Sequence, residues 1–261
     1  MPAAIARATI APVLAEPRVR AEQVTQLVLG ETAAITSRSG EWRRVCTHFD
    51  GYDGWINTGY LHEGEDRVVE EWRARATAWS AGAMVRVGSS HLQLPLRARV
   101  VLEGEDVELP DGRRGRLTAG TVRPTGEIAA AARSKPAERW ALEQFAGSPY
   151  QWGGLTPWGV DCSGLVQTTF SARGVALPRD SAQQVFHGAS VAPDAIRPGD
   201  LLFFSGETTS GITHVAFAGE SDTLIHSTLA CGGVLIEPWV PGTRGATLRP
   251  RLVAVRRLEE R

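Results

Sequence analysis

Residues 150–166 read YQWGGLTPWGVDCSGLV. Glycines and aromatic residues crowd the first half of this stretch, and Asp161-Cys162-Ser163-Gly164 closes it. Beyond that point Leu165, Val166, Thr169 and Phe170 recur at helical spacing until Gly174 ends the pattern. The spacing predicts a helix with Cys162 at or just before its N-terminus. Unpaired amide N–H groups and the positive end of the helix dipole gather at such a position. These surroundings favour thiolate over thiol and lower a cysteine pKa from its usual value of about 8.5. A lone cysteine is more often a buried structural residue. Two histidines downstream change that balance.

His214 opens an alternating run, His-Val-Ala-Phe-Ala, and His226 lies in Thr-Leu-Ile-His-Ser. Between the two runs, Gly219-Glu220-Ser221-Asp222 is turn-like. If the runs form a hairpin with an odd loop of three or five residues, so that positions summing to 440 pair, His214 lies directly opposite His226 and both point to one face. An even loop sends them to opposite faces unless a bulge restores the register. A nucleophile at a helix start, with a base and an orienting group side by side on a sheet, is the arrangement that activates a thiol. In that arrangement His214 takes the thiol proton, and His226 holds the His214 ring by accepting a hydrogen bond.

The ordered motifs YxWGG, DCSGLV, PRDSxxQ, RPGDLLFF, HVAF and LIHS, spread over residues 137–258, resemble the NlpC family of papain-like cysteine peptidases, which cut bacterial cell-wall peptides. The resemblance implies a nucleophile at Cys162, a general base at His214 and a third polar residue at His226. It also implies an acyl-enzyme chemistry at an amide carbonyl. The N–H of Cys162 and the hydroxyl of Tyr150 are then the candidate donors to the developing oxyanion. Asp161, Ser163, Asp180 and Ser181 are the polar residues that the resemblance places against the substrate's amine and backbone.

Elsewhere the chain reads as small β domains. Val24 to Leu29, Ala33 to Thr36, Trp42 to Cys46 and Trp55-Ile56 are short strand-like runs separated by Gly-rich turns, so residues 11–66 read as a small barrel. The wording LGE, SGEWRRV, GYDGWI and GYL is similar to bacterial SH3-like domains. By that resemblance Glu31 and Tyr52 meet the substrate's N-terminal ammonium; their bland alternatives are a surface Glu and a turn Tyr. Residues 68–77 read as a short linking helix, and residues 77–125 as a second, divergent SH3-like domain, too short for an independent core. Residues 126–261 then hold the peptidase domain, entered by helices broken at Pro136, with Ser134 as the expected cap of the second. A helical half followed by strands makes the whole an α+β protein, a papain-like domain behind two small SH3-like barrels.

Composition narrows the function classes. With 28 basic against 29 acidic residues the formal charge is −1, which gives no footprint for nucleic acid or an acidic membrane. Three widely spaced cysteines suggest no disulfide framework, and no CxxC pair or clustered ligand spacing points to a metal or another cofactor. The opening MPAAIARATIAPVLAEP has no continuous apolar core, so neither a signal peptide nor a membrane span is expected, and the predicted location is cytoplasmic. Among relatives by resemblance, the cytoplasmic γ-D-glutamyl-L-diamino acid endopeptidases fit most closely. They imply a murein-derived peptide substrate with a free N-terminal L-Ala, cut between γ-D-glutamate and a diamino acid. Two rival readings stay open: an amidase or acyltransferase on the same fold, and a non-catalytic cell-wall-binding protein. Nothing in the sequence bears on the oligomeric state.

Overall fold

The computed structural model describes residues 2–258. The chain divides into two compact units, residues 1–128 and 129–261.

In the first unit, Pro2–Ala6 (β1), Ile10–Leu14 (β2), Gln23–Val28 (β3), Thr32–Ser39 (β4), Trp42–Thr47 (β5), Asp53–Asn57 (β6) and Leu61–Glu65 (β7) form one sheet in the order β3-β2-β6-β5-β4-β1-β7. Inward-facing side chains such as Val13, Leu27, Val45 and Ile56 fill its core. β1 precedes residue 11, where the sequence reading began the domain. It pairs Ala3 with both Ala34 and Gly64. Four of its five residues are buried, so it shows no apolar–polar alternation, and alanines carry little strand signal. Asp66–Arg75 (α1) follows, burying Val69 and Trp72, and the Trp72 indole N–H donates to the Gly30 carbonyl at 2.9 Å.

Ala78–Val87 (β8), Ser90–Leu94 (β9), Arg99–Glu103 (β10), Asp106–Glu108 (β11) and Arg114–Pro124 (β12) form a second sheet, β10-β11-β12-β8-β9. β10 also pairs with β8, which closes the ladder into a small barrel. Its core borrows Val28, the last residue of β3, and Leu29 just after it. A segment of this length buries too little apolar surface alone, and the borrowed residues supply the remainder.

Thr125–Arg133 (α2) leads into the second unit, where Ala137–Phe145 (α3), Cys162–Ala172 (α4) and Ser181–Gln184 (α5) are the helices. Pro136 stands at the N-cap of α3. Ser134 does not cap it: its hydroxyl turns back to the Ala131 carbonyl at 2.7 Å. Leu155–Thr156 (β13) and Gly159–Val160 (β14) make a two-stranded pair. Ala189–Ser190 (β15), Leu201–Ser205 (β16), Ile212–Ala218 (β17), Thr223–Thr228 (β18), Gly233–Pro238 (β19) and Leu252–Arg257 (β20) form the sheet β15-β20-β16-β17-β18-β19. The apolar run Leu201-Leu202-Phe203-Phe204 is wholly buried at its centre. α4 packs on this sheet, with Phe170 stacked on Phe217 at 6.0 Å between ring centres. The fold is α+β, with SH3-like β structure preceding a papain-like half.

Candidate active site

The nucleophile loop is built around one carboxylate. Asp161 is the N-cap of α4, and its Oδ1 accepts from the Gly164 amide at 2.7 Å. Oδ1 also accepts from the Ser163 hydroxyl, and Oδ2 from the Gly153 amide at 2.8 Å. Arg179, 1% exposed, completes the set from the other side. Its Nη1 donates to Oδ1 at 3.0 Å and its Nη2 to Oδ2. Nη1 reaches the Ser163 hydroxyl as well, at 2.8 Å. Gly164 is required by close approach: a Cβ there would lie 2.1 Å from the Gly154 carbonyl oxygen. Thus the glycines before the cysteine and the one after it fold against each other, and Cys162 emerges at the first turn of α4.

Cys162 is 6% exposed. Its sulfur receives the amide N–H groups of Ser163 and Val215, and Val215 follows His214 directly in β17. These amides and Arg179 favour the thiolate. Burial outweighs them, and with the Asp161 charge it pushes the Cys162 thiol up to about 12. The expectation of a depressed thiol pKa is therefore corrected. The helix start is present, but removing an anion from water costs more than the helix dipole returns. Burial acts on His214 in the opposite sense, followed by the His226 ring, and lowers it to about 3. Burial thus pushes each of these two groups toward its neutral form.

The two histidines meet, though in a different register from the direct pairing expected. β17 and β18 pair Phe217 with Ile225 and Ala218 with Leu224, leaving a five-residue loop in which Ser221 and Asp222 take left-handed backbone (φ 53 and 51). That register sets His226 two positions from the point opposite His214. A shift of two preserves the face. The rings stand 5.0 Å apart between centres, and His214 Nε2 lies 2.8 Å from His226 Nδ1. Behind them the contact continues to a residue that the sequence reading missed. His226 Nε2 lies 2.9 Å from Glu237 Oε2, and Arg244 Nη2 donates to the same oxygen. Burial, then the Arg244 charge, lowers His226 to about 4.

Tyr150 stands beside Cys162, held by its amide, which donates to the Gly232 carbonyl at 2.8 Å, and by a bridge to Val160. Burial, then the Cys162 and Asp161 charges, pushes its phenol up to about 12, so it is a donor. Ser181 is buried at the start of α5, with Asp180, half-buried, as the N-cap residue. Gln184 joins this helix to the nucleophile, donating to the Ser163 carbonyl at 3.0 Å and the Pro178 carbonyl at 2.9 Å. The structure therefore gathers Tyr150, Asp161, Cys162, Ser163, Arg179 and Gln184 at one end of α4. Arg179 was legible as a letter of PRDSxxQ, but no periodicity marks it as the partner of Asp161.

Glu31 and Tyr52 belong to the first unit. Glu31 is 8% exposed, its Oε1 paired with Arg97 and its Oε2 accepting the Val28 amide at 2.9 Å. It borders a cavity of about 290 Å³ that His48, Arg73 and Arg99 also line. Tyr52 lies in the turn before β6, its amide bonded to the Thr47 hydroxyl at 2.9 Å. Cys46 and Cys231 carry free thiols, Cys231 exposed. Among the described residues no group of three or more His, Cys, Asp or Glu is placed to hold a metal, and no helix is long and apolar enough to cross a membrane.

Comparison with known proteins identifies relatives of both parts of the chain. Residues 147–257 match the NlpC/P60 family, and residues 13–61 match the bacterial dipeptidyl-peptidase Sh3 domain. The chain is 30% identical over 235 residues to a gamma-D-glutamyl-L-lysine dipeptidyl-peptidase of Bacillus cereus, covering 82% of this chain and 70% of that protein. A protein of the same name from Bacillus subtilis is 28% identical over 232 residues, covering 78% of this chain and 71% of the relative. The crystal structure of an NlpC/P60 family protein from Bacillus cereus superposes with a TM-score of 0.82 over 98% of this chain and 99% of the other, at 23% identity, which shows the shared fold.

Proposed function

Because this chain belongs to the NlpC/P60 family of cysteine peptidases, we propose that it hydrolyses peptides derived from the bacterial cell wall, between γ-D-glutamate and a diamino acid, with Cys162 as nucleophile, His214 as general base and His226 as the residue that orients it. The observation that carries this reading is the contact of His214 Nε2 with His226 Nδ1 at 2.8 Å, next to the Val215 amide that meets the Cys162 sulfur. Two ring nitrogens in contact occupy one side of the His214 imidazole and leave Nδ1 for the thiol.

In this mechanism His214 Nδ1 removes the Cys162 proton as the sulfur attacks the γ-glutamyl carbonyl carbon. The carbonyl oxygen gains charge and takes hydrogen bonds from the Cys162 N–H and the Tyr150 hydroxyl. The C–N bond breaks, and the leaving amine receives the proton from His214. A thioester remains, and water activated by the same imidazole releases the acid. Neutral reactants suit a buried site: charge appears only as the bond forms, where the donors wait for it. Ser163, Asp180, Ser181 and Asp161 line the substrate side in this proposal. Asp161 has its charge met by Arg179 and acts chiefly by holding the loop.

The proposal includes a free N-terminal L-Ala, and supporting it are the dipeptidyl-peptidase names of both Bacillus relatives. By motif resemblance, Glu31 and Tyr52 receive that ammonium. An ammonium reaching Glu31 shares its carboxylate with Arg97. We place the enzyme in murein peptide recycling in the cytoplasm, a reducing compartment suited to three free thiols; fractionation of producing cells tests the location. The test of substrate is a panel of L-Ala-γ-D-Glu-diamino acid peptides, free and N-acetylated, read by mass spectrometry. Release of the dipeptide from the free peptide alone supports the reading. Equal cleavage of acetylated peptide, or transfer to an added amine in place of hydrolysis, overturns it in favour of an open-groove lytic enzyme or an acyltransferase.

A further inference from the structure

Glu237 is 6% exposed in a strand whose neighbouring residues, Ile236 and Pro238, face outward. β18 and β19 pair His226 with Leu235 and Leu224 with Glu237. Glu237 is therefore the diagonal neighbour of His226 on the same face, within reach of a long side chain. Its Oε2 takes His226 Nε2 at 2.9 Å and Arg244 Nη2 as well. Arg244 is itself held in place. Thr243 donates to the Pro238 carbonyl at 2.9 Å and the Val240 carbonyl at 2.7 Å. Gly245 lies so close to the Pro238 carbonyl that a Cβ would stand 2.3 Å from its oxygen.

We propose that Glu237, clamped by Arg244, is a positioning residue that fixes the tautomer of His226 and through it keeps His214 Nδ1, the nitrogen left for the thiol, unprotonated. A carboxylate oxygen only accepts, so His226 Nε2 must carry a proton. In a neutral ring His226 Nδ1 is then a lone pair, and it accepts from His214 Nε2–H. His214 Nδ1 is left unprotonated. Remove the acceptor and His226 can carry its proton on Nδ1 instead, which either sets two donors against each other across 2.8 Å or makes His226 the donor to His214 Nε2 and leaves the His214 proton on Nδ1, facing the thiol. The orienting role of the third residue thus depends on a fourth. No net charge moves along this line in the resting enzyme; the proton taken from Cys162 stays on His214 until the leaving amine takes it. The inference rests on the roles proposed above for Cys162, His214 and His226.

The test compares Glu237→Leu, which removes the acceptor, with Glu237→Gln, whose amide oxygen can still accept from both His226 and Arg244. Glu237→Leu should lose about 10²-fold in kcat with KM within about twofold, and Glu237→Gln should keep most of kcat. Equal losses in the two variants, or a loss confined to KM, overturn the proposal. A second readout is independent of the substrate: ring ¹⁵N NMR of His226, assigned by its disappearance in His226→Gln. The wild-type ring should be protonated at Nε2, and wild-type protonation at Nδ1 overturns the proposal even if Glu237→Leu does not fold. If wild type cleaves no peptide on the panel but the ring is Nε2-protonated, the substrate reading has failed and the tautomer assignment stands.

Discussion

Arg179 places both terminal nitrogens of its guanidinium on the Asp161 carboxylate, with Nη1 3.0 Å from Oδ1, in a pair that is almost wholly out of contact with solvent. Because Asp161 also caps α4, this pair sets where the helix begins and so where Cys162 stands. Removing one member leaves the other as an uncompensated buried charge. Arg179→Ala should destabilise the second unit by about 3–5 kcal/mol, read as a lower midpoint in urea unfolding. Arg179→Lys keeps the charge but loses the two-pronged geometry and should fall between. A wild-type midpoint for Arg179→Ala would contradict the assignment.

The buried imidazoles make the fold acid-sensitive. His214 and His226 have folded pKa values lowered to about 3 and about 4. Between those values and the unfolded value of about 6.5 the unfolded chain binds more protons, so stability must fall as pH falls through that window. Thermal unfolding of wild type from pH 7 to pH 4 should show a declining Tm, with a shallower decline in His226→Asn. Parallel declines would locate the protonation elsewhere.

Thiol reactivity separates the buried cysteine from the exposed one. Burial favours the protonated Cys162, so at pH 7 iodoacetamide should modify exposed Cys231 before Cys162, and Cys162 labelling should accelerate only as pH is raised. Peptide mapping by mass spectrometry reads the order. Rapid labelling of Cys162 at pH 7 would mean a preformed thiolate.

How much of this was readable beforehand follows a physical line. The helix start at Cys162 rests on local signals, an Asp cap and apolar residues at helical spacing, and it was legible. The shared face of His214 and His226 was legible only on the condition of an odd hairpin loop, which fixes parity; the register of β17 and β18 meets that condition. The two-residue displacement was not legible: it depends on Ser221 and Asp222 adopting left-handed backbone that neither residue type demands. β1 was missed because an alanine-rich strand buried on both faces has no period to detect. The partners Arg179 and Glu237 were missed because they lie 18 and 11 positions from the residues they hold. The direction of the Cys162 shift was read wrongly for the same reason. Local sequence reports the helix dipole, while desolvation is a property of the assembled fold.

The histidines should differ in their effect on turnover. His214→Ala removes the base and should cost about 10²–10⁴-fold in kcat. His226→Asn keeps an amide that can accept from His214 Nε2 and should cost less. Small and equal losses measured by steady-state kinetics would mark both as structural.

The most direct test of the account is the rate of dipeptide release from L-Ala-γ-D-Glu-diamino acid by wild type, Cys162→Ala and Cys162→Ser, each shown by circular dichroism to be folded. The account predicts release by wild type and none above the uncatalysed rate by either variant. Release by folded Cys162→Ala at a rate near that of wild type would contradict it.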